Sequence, residues 1–313
     1  MRMIAGNLLV APLVIHAELG GKVYQIGYLR DSDVVPIPQP FWSAMREFGW
    51  VEGQNVKVNS RYAPNADQLP TLAAELVRLK VDLIMTVGSR AAQAVKEATN
   101  TIPVVFTLGD DPVERGLVAN FARPGGNLTG FVIGHYEEKL LEVLKEALPR
   151  VSRVAYPVVT GPSGTMPVRR ALELAGRALG VATEGITVEG PGDFGSFYTV
   201  ALRDGADAVM IPNIAWFAPH LERIAAEASR SRLPAIGFDR RFVEAGGLMS
   251  YGPIESQRWP RLAAQVDKIL KGTKPGDLPV ELPTRFELLI NAKVANSLRI
   301  TITQSILLRA EVV

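Results

Sequence analysis

The sequence has no cysteine, which removes disulfide scaffolds, thiolate nucleophiles and cysteine-ligated metals. A lipid anchor on a cysteine at a mature N-terminus is removed with them. Histidine is scarce: His16, His135 and His220 lie far apart without metal-ligand spacing, and each reads as a surface or helix-end residue. Neither sign of charge dominates. With 34 basic and 32 acidic residues the formal net charge is +2, which leaves no electrostatic footprint for nucleic acid. No stretch approaches the ~20 uninterrupted apolar residues of a bilayer span. Phosphate and nucleophile loops are lacking too. There is no G-x-x-x-x-G-K-[ST], no G-x-G-x-x-G follows the first apolar run, and Gly161-Pro162-Ser163-Gly164 is not a G-x-S-x-G elbow. No catalytic residue, metal or cofactor is therefore expected, and an enzyme is disfavoured.

What remains is an ordinary globular composition, 47% hydrophobic and 21% charged, in a chain of 313 residues. That length suits one large or two medium domains. At the start, Arg2 supplies one positive charge ahead of the apolar run 4–15, broken by Asn7 and Pro12. His16-Ala17 then precedes the polar Glu18, so residues 1–17 read as a short secretory signal cleaved after Ala17.

From residue 23 onward, short β-branched runs alternate with longer amphipathic stretches. Strands are expected at 23–29, 56–62, 81–87 and 102–108, with helices at 41–48, 67–79 and 89–99 between them. Leu69, Leu72, Ala73, Leu76 and Leu79 line one face of the second helix. The pattern breaks at Arg123-Pro124-Gly125-Gly126 and restarts, with helices at 137–148, 168–179, 194–203 and 219–229 among strands at 153–159, 186–188, 208–211 and 235–238. Such alternation means βαβ units, parallel sheets and right-handed crossovers. Two similar halves suggest two lobes built alike. A Pro/Gly-rich linker at 272–279 precedes a last strand at 286–290 and a helix near 292–298.

In open parallel sheets, ligands sit outside the carboxyl ends of the strands. The first such end carries Arg30-Asp31-Ser32-Asp33. The third carries Gly88-Ser89, where Ser89 is expected to cap a helix, and the fourth carries Gly109-Asp110-Asp111-Pro112. The second half adds the segment from Thr160 to Ser163, then Pro212-Asn213 with Trp216, then Asp239. Around one cleft these groups could hold an amino acid. Its carboxylate would go to Arg30 or the Ser89 helix, its ammonium to Asp110 or Asp239, and Trp216 would stack on an apolar side chain. Plainer roles stand beside these: Asp111 as a helix cap, Arg30 as a solvated loop residue, Trp216 as a packed loop aromatic, Asp31 and Asp33 as turn formers.

Several segments in order carry a resemblance over nearly the whole chain. They include Phe48-Gly49-Trp50-Val51-Glu52-Gly53-Gln54-Asn55-Val56, Thr86-Val87-Gly88-Ser89 and Asp111-Pro112-Val113. The longest runs from Gly116-Leu117-Val118-Ala119-Asn120-Phe121 through Ala122-Arg123-Pro124-Gly125-Gly126-Asn127-Leu128-Thr129-Gly130. Gly246-Gly247-Leu248-Met249-Ser250-Tyr251-Gly252 and Lys268-Ile269-Leu270-Lys271-Gly272 follow. Together they resemble the ABC transporter substrate-binding proteins of the tryptophan/tyrosine-uptake type. The family's pattern usually has a glycine and a proline around 298–303, which this chain lacks.

The resemblance implies a type I periplasmic-binding fold: α/β, with two Rossmann-like lobes joined by a three-crossing hinge. Lobe 1 would hold 22–133 plus 251–279, and lobe 2 would hold 134–250 plus 280–313. It implies a periplasmic, monomeric receptor that closes on a small molecule, an amino acid (an aromatic one among the options) or related carboxylate, and delivers it to an ABC permease and its ATPase; the alternatives are a ligand-sensing domain of the same fold in signalling and, behind it, a small-molecule enzyme. It carries Gly88, Ser89 and Asp111 over as contacts. Ile236-Gly237-Phe238-Asp239 resembles a strand end where sugar-binding relatives place an acid, and Tyr251 falls at the return crossing.

Overall fold

The computed structural model describes residues 21–31, 35–159 and 166–313. The leader 1–17, Ser32, Asp33 and Ser163 lie outside them.

The chain opens with β1 (Tyr24–Arg30), α1 (Gln39–Glu47), β2 (Val56–Tyr62), α2 (Leu69–Arg78), β3 (Leu83–Val87), α3 (Ser89–Ala98), β4 (Val104–Leu108) and β5 (Leu128–Val132). All five strands are parallel, in the order β2-β1-β3-β4-β5. The central strands are buried on both faces, which explains why they read as unbroken apolar runs rather than as alternating ones. On α2 the residues Leu69, Ala73 and Leu76 face the core at helical spacing. Leu79, expected on that face, follows the helix as its C-cap and is 48% exposed. β5 was not expected as a strand; its Thr129 and Gly130 hide an apolar run that is nonetheless wholly buried.

The second half holds α4 (Glu137–Ala147), β6 (Arg153–Val159), α5 (Met166–Leu179), β7 (Ala182–Val188), α6 (Phe194–Arg203), β8 (Ala208–Met210), α7 (Leu221–Ser231), β9 (Ala235–Gly237), α8 (Arg240–Glu244) and β10 (Met249–Pro253). Then come α9 (Glu255–Leu270), β11 (Phe286–Ile290), α10 (Ala292–Ser297), α11 (Gln304–Leu307) and β12 (Glu311–Val312). This sheet has the order β12-β11-β10-β9-β8-β6-β7, parallel except where β11 runs against β10.

Helix α9 returns to the first sheet. Its Trp259, Leu262, Ala263 and Val266 pack with Phe41, Met45 and Trp50 over β1, β3 and β4. Trp50 Nε1 donates to Asp267 Oδ1 at 2.8 Å within this core. The third crossing is tied to lobe 1 as well. Thr129 Oγ1 donates to the Leu278 carbonyl at 2.8 Å, and Gln265 Nε2 to the Gly130 and Pro279 carbonyls at 3.2 Å. The Val132 N–H donates to the Glu281 carbonyl and the Glu281 N–H to the Gly130 carbonyl, both at 2.8 Å, and β10 pairs with β11 through Pro253. These bonds tie the stretch after α9 to β5, and pair the end of β10 with the start of β11.

Beside the crossings, Tyr136 ahead of α4, Tyr251 of β10 and Phe286 of β11 come together. Tyr251 and Phe286 stack with centroids 5.4 Å apart, and Tyr136 meets Phe286 edge-on at 5.7 Å. A Cβ on Gly252 would stand 2.0 Å from the Phe238 carbonyl oxygen, which accepts from the Tyr136 hydroxyl at 3.3 Å.

Candidate functional site

The first crossing leaves the C-terminal end of β5, and the second leaves the C-terminal end of β10, which is parallel to β9. Both sheets therefore turn their C-terminal strand ends toward the junction, where open α/β sheets hold ligands. The described sequence candidates all sit there.

On lobe 1, β1 and β3 are neighbours, so Asp31 comes against Gly88. The Asp31 N–H donates to the Val87 carbonyl at 3.3 Å. Gly88 has φ +100°, and a Cβ on it would stand 2.0 Å from Asp31 Oδ1. Only glycine meets both conditions. Gly88, not Ser89, is therefore the N-cap of α3, and Ser89 is its first helical residue. Burial raises the Asp31 carboxyl above its usual range, opposed by Arg90 and Arg30. Arg90 Nε stands 3.6 Å from Asp31 Oδ2.

At the end of β4, Asp110 is held by three groups. His135 Nε2 lies 3.3 Å from its Oδ1 and Arg115 Nη2 2.5 Å from its Oδ2, with the Ser89 hydroxyl adding to them. His135 leads in holding the Asp110 carboxyl well below the ordinary carboxylate range, against the opposing effect of burial. On its other side His135 Nδ1 is 3.5 Å from Oε2 of Glu137, whose side chain is fully buried at the start of α4. Asp110 and Glu137 push the imidazole up to about 10, so it stays charged at neutral pH. Asp111 takes the plainer role: its Oδ1 accepts from the Val113 N–H at 2.7 Å and the Glu114 N–H at 3.3 Å.

On lobe 2, Asp239 caps α8 by accepting from the Arg241 N–H at 2.9 Å, and pairs with the Arg241 guanidinium at 2.7 Å. Trp216 is half-buried in an aromatic group with Phe194, Phe217 and His220, at centroid distances of 5.9, 5.2 and 5.0 Å. Asn213 lies half-buried after β8.

The structure thus brings Arg30, Asp31, Gly88, Ser89, Asp110 and Asp111 together on one rim, and places Asn213, Trp216 and Asp239 on the other, with Tyr251 in the hinge stack. Sequence reading missed Arg90, Arg115 and Glu137, and gave His135 no partner. Arg90 had a usable signal, as the second residue of a helix opened by Gly-Ser at a strand end. The His135 bridge had none, because its partners are set by the order of β4 and β5. Among the described residues no group of three His, Asp or Glu side chains could hold a metal ion, and no helix is long and apolar enough to cross a membrane.

Two parallel-sheet lobes, three crossings and polar strand ends turned to the junction define the two-lobed binding proteins of the periplasmic type I fold. Solved structures share the architecture. A conserved domain protein from Vibrio cholerae is 27% identical with a TM-score of 0.81, covering 93% of this chain and 99% of that one. A Streptococcus pneumonia ABC domain in complex with L-Trp is 23% identical with a TM-score of 0.80 over the same shares. A tyrosine-binding protein of Clostridioides difficile is 26% identical over 264 residues, 82% of this chain and 75% of that protein. The chain belongs to the ABC transporter substrate binding protein family, whose model matches residues 34–313.

Proposed function

We propose that this substrate-binding protein captures an amino acid with an aromatic side chain outside the cytoplasmic membrane and presents it, unchanged, to an ABC permease and its ATPase. The observation that carries the reading is the pairing of rims at the junction. Lobe 1 offers opposed charges at the ends of β1, β3 and β4, while lobe 2 offers the Trp216 aromatic group after β8. A zwitterionic head and an aromatic tail match these two surfaces. The relatives' names point the same way, one being a tyrosine-binding protein and another holding L-Trp.

Closure follows from this arrangement. A ligand seated on one lobe completes its contacts only when the other swings in, so binding energy favours the closed form. The crossings at 133–136, 254 and 282–285 are the hinge, and the segments they separate move as the two bodies. The docking surface read by the permease is that closed form, and residues 1–17 are the export signal.

A thermal-shift panel of amino acids, aryl acids, sugars, nucleobases and dicarboxylates on residues 18–313 tests the reading. At ~100 times its dissociation constant a ligand adds roughly 2.7 kcal/mol to the folded state. A rise confined to aromatic amino acids, with the ligand recovered intact, is the expected result. A rise with sugars alone, or a chemically altered ligand, would overturn it.

A further inference from the structure

Among the described residues four carboxylates stand at the strand ends, and three are held by close hydrogen bonds. Asp110 is gripped by His135 and Arg115, Asp111 by backbone N–H groups, and Asp239 by its cap and Arg241. Asp31 differs. Its nearest cation, Arg90 Nε, is 3.6 Å away, outside hydrogen-bonding distance, and Arg90 Nε is itself buried with no hydrogen-bond partner. Side-chain exposures of 18% and 27% leave the pair largely desolvated yet reachable. Here an anion and a cation sit side by side, loosely paired, and the Arg90 Nε–H has no hydrogen-bond partner. Buried polar groups in that state cost stability unless something else supplies the missing bonds.

We propose that Asp31 and Arg90 together recognise the zwitterionic head of the ligand, with Asp31 receiving the ammonium and Arg90 the carboxylate. The inference rests on the amino-acid reading above and fixes which end of the ligand goes where. An α-amino acid carries its two charges on one carbon, so its receptor needs opposite charges that are neighbours. The β1–β3 adjacency provides that, since Asp31 ends one strand and Arg90 lies in the first turn after the other. The guanidinium presents its donors as a fork suited to a carboxylate, and the positive end of α3 reinforces it. The missing Cβ of Gly88 leaves the space that the Asp31 carboxylate occupies. The head is thus gripped at β1 and β3, not at Asp110 or Asp239.

The test is calorimetric titration of wild type, Asp31→Asn and Arg90→Gln with L-tryptophan, indole-3-propionate and tryptamine. Wild type is expected to bind the amino acid at least tenfold tighter than either analogue, the scale of one charge-assisted hydrogen bond. Asp31→Asn should weaken L-tryptophan and tryptamine about tenfold or more while leaving indole-3-propionate within about threefold, and Arg90→Gln should weaken L-tryptophan and indole-3-propionate about tenfold or more while leaving tryptamine within about threefold. Equal losses for all three ligands in either variant would mean that the pair only holds the fold. Retained discrimination in both variants would place the head elsewhere. Either result overturns the inference while the amino-acid reading stands. A wild type silent to all three overturns both.

Discussion

Replacing His135 by glutamine tests the charge bridge at the first crossing. Its imidazole is pushed up to about 10 from 6.5, chiefly by Asp110 and then Glu137, with burial opposing. A group raised on folding contributes stability that is fully present below its unfolded pKa, near 6.5. That contribution is lost as pH climbs through the folded value, about 10. In a dry site a displacement of this size corresponds to on the order of 5 kcal/mol. Here 35% of the side chain is exposed, so screening by water reduces the expected contribution to ~1–2 kcal/mol. The assay is paired urea melts of wild type and His135→Gln at intervals from about pH 6 to about pH 10. Subtracting the two curves cancels the lysines and tyrosines that titrate at the alkaline end. The gap should be full near pH 6 and close steadily toward pH 10. A pH-independent gap would refute the reasoning, because it would mean that His135 acts by packing. A gap that widens with pH would reverse the sign.

Three further outcomes follow from contacts already described. Gly88→Ala forces a non-glycine residue to φ +100° and drives a methyl into Asp31, so a loss of about 2–3 kcal/mol is expected in thermal melts. A cost below about 0.5 kcal/mol would show that Asp31 swings aside freely. Trp50→Phe removes the donor to Asp267 inside the core beneath α9 and should cost about 1–3 kcal/mol; an unchanged urea midpoint would sink that account. Leu140→Ala, at a fully buried position of α4, should cost about 2–5 kcal/mol, whereas Leu308→Ala, 78% exposed, should stay within about 0.5 kcal/mol. Similar costs at the two sites would contradict the packing described for lobe 2.

Much of the fold is written locally. The apolar runs that became β1, β3 and β4 mark strands covered on both faces. The helical spacing of Leu69, Ala73 and Leu76 marks α2, and Gly88 marks a backbone turn at a strand end. The alternation of these elements gives the α/β class, because periodicity within a dozen residues already states which face of an element is buried. β5 escaped that reading, since polar Thr129 is buried only because Leu278, far along the chain, accepts its hydroxyl.

The candidate site was legible as a set of strand ends, not as a set of partnerships. Asp31, Gly88, Ser89 and Asp110 follow apolar runs, and that much is a local fact. Whether a charge is free or engaged depends on which strands lie side by side. The sheet order puts β1 beside β3, which brings Arg90 to Asp31, and β4 beside β5, which brings His135 to Asp110. The chain's return through α9 likewise brings Trp50 to Asp267 across 217 positions. The sequence alone therefore determined the elements and the family pattern, because both are carried by short segments. Only the tertiary structure decided which carboxylates are held tightly and which is paired loosely, because electrostatic pairing acts over a few ångströms of space and ignores distance along the chain.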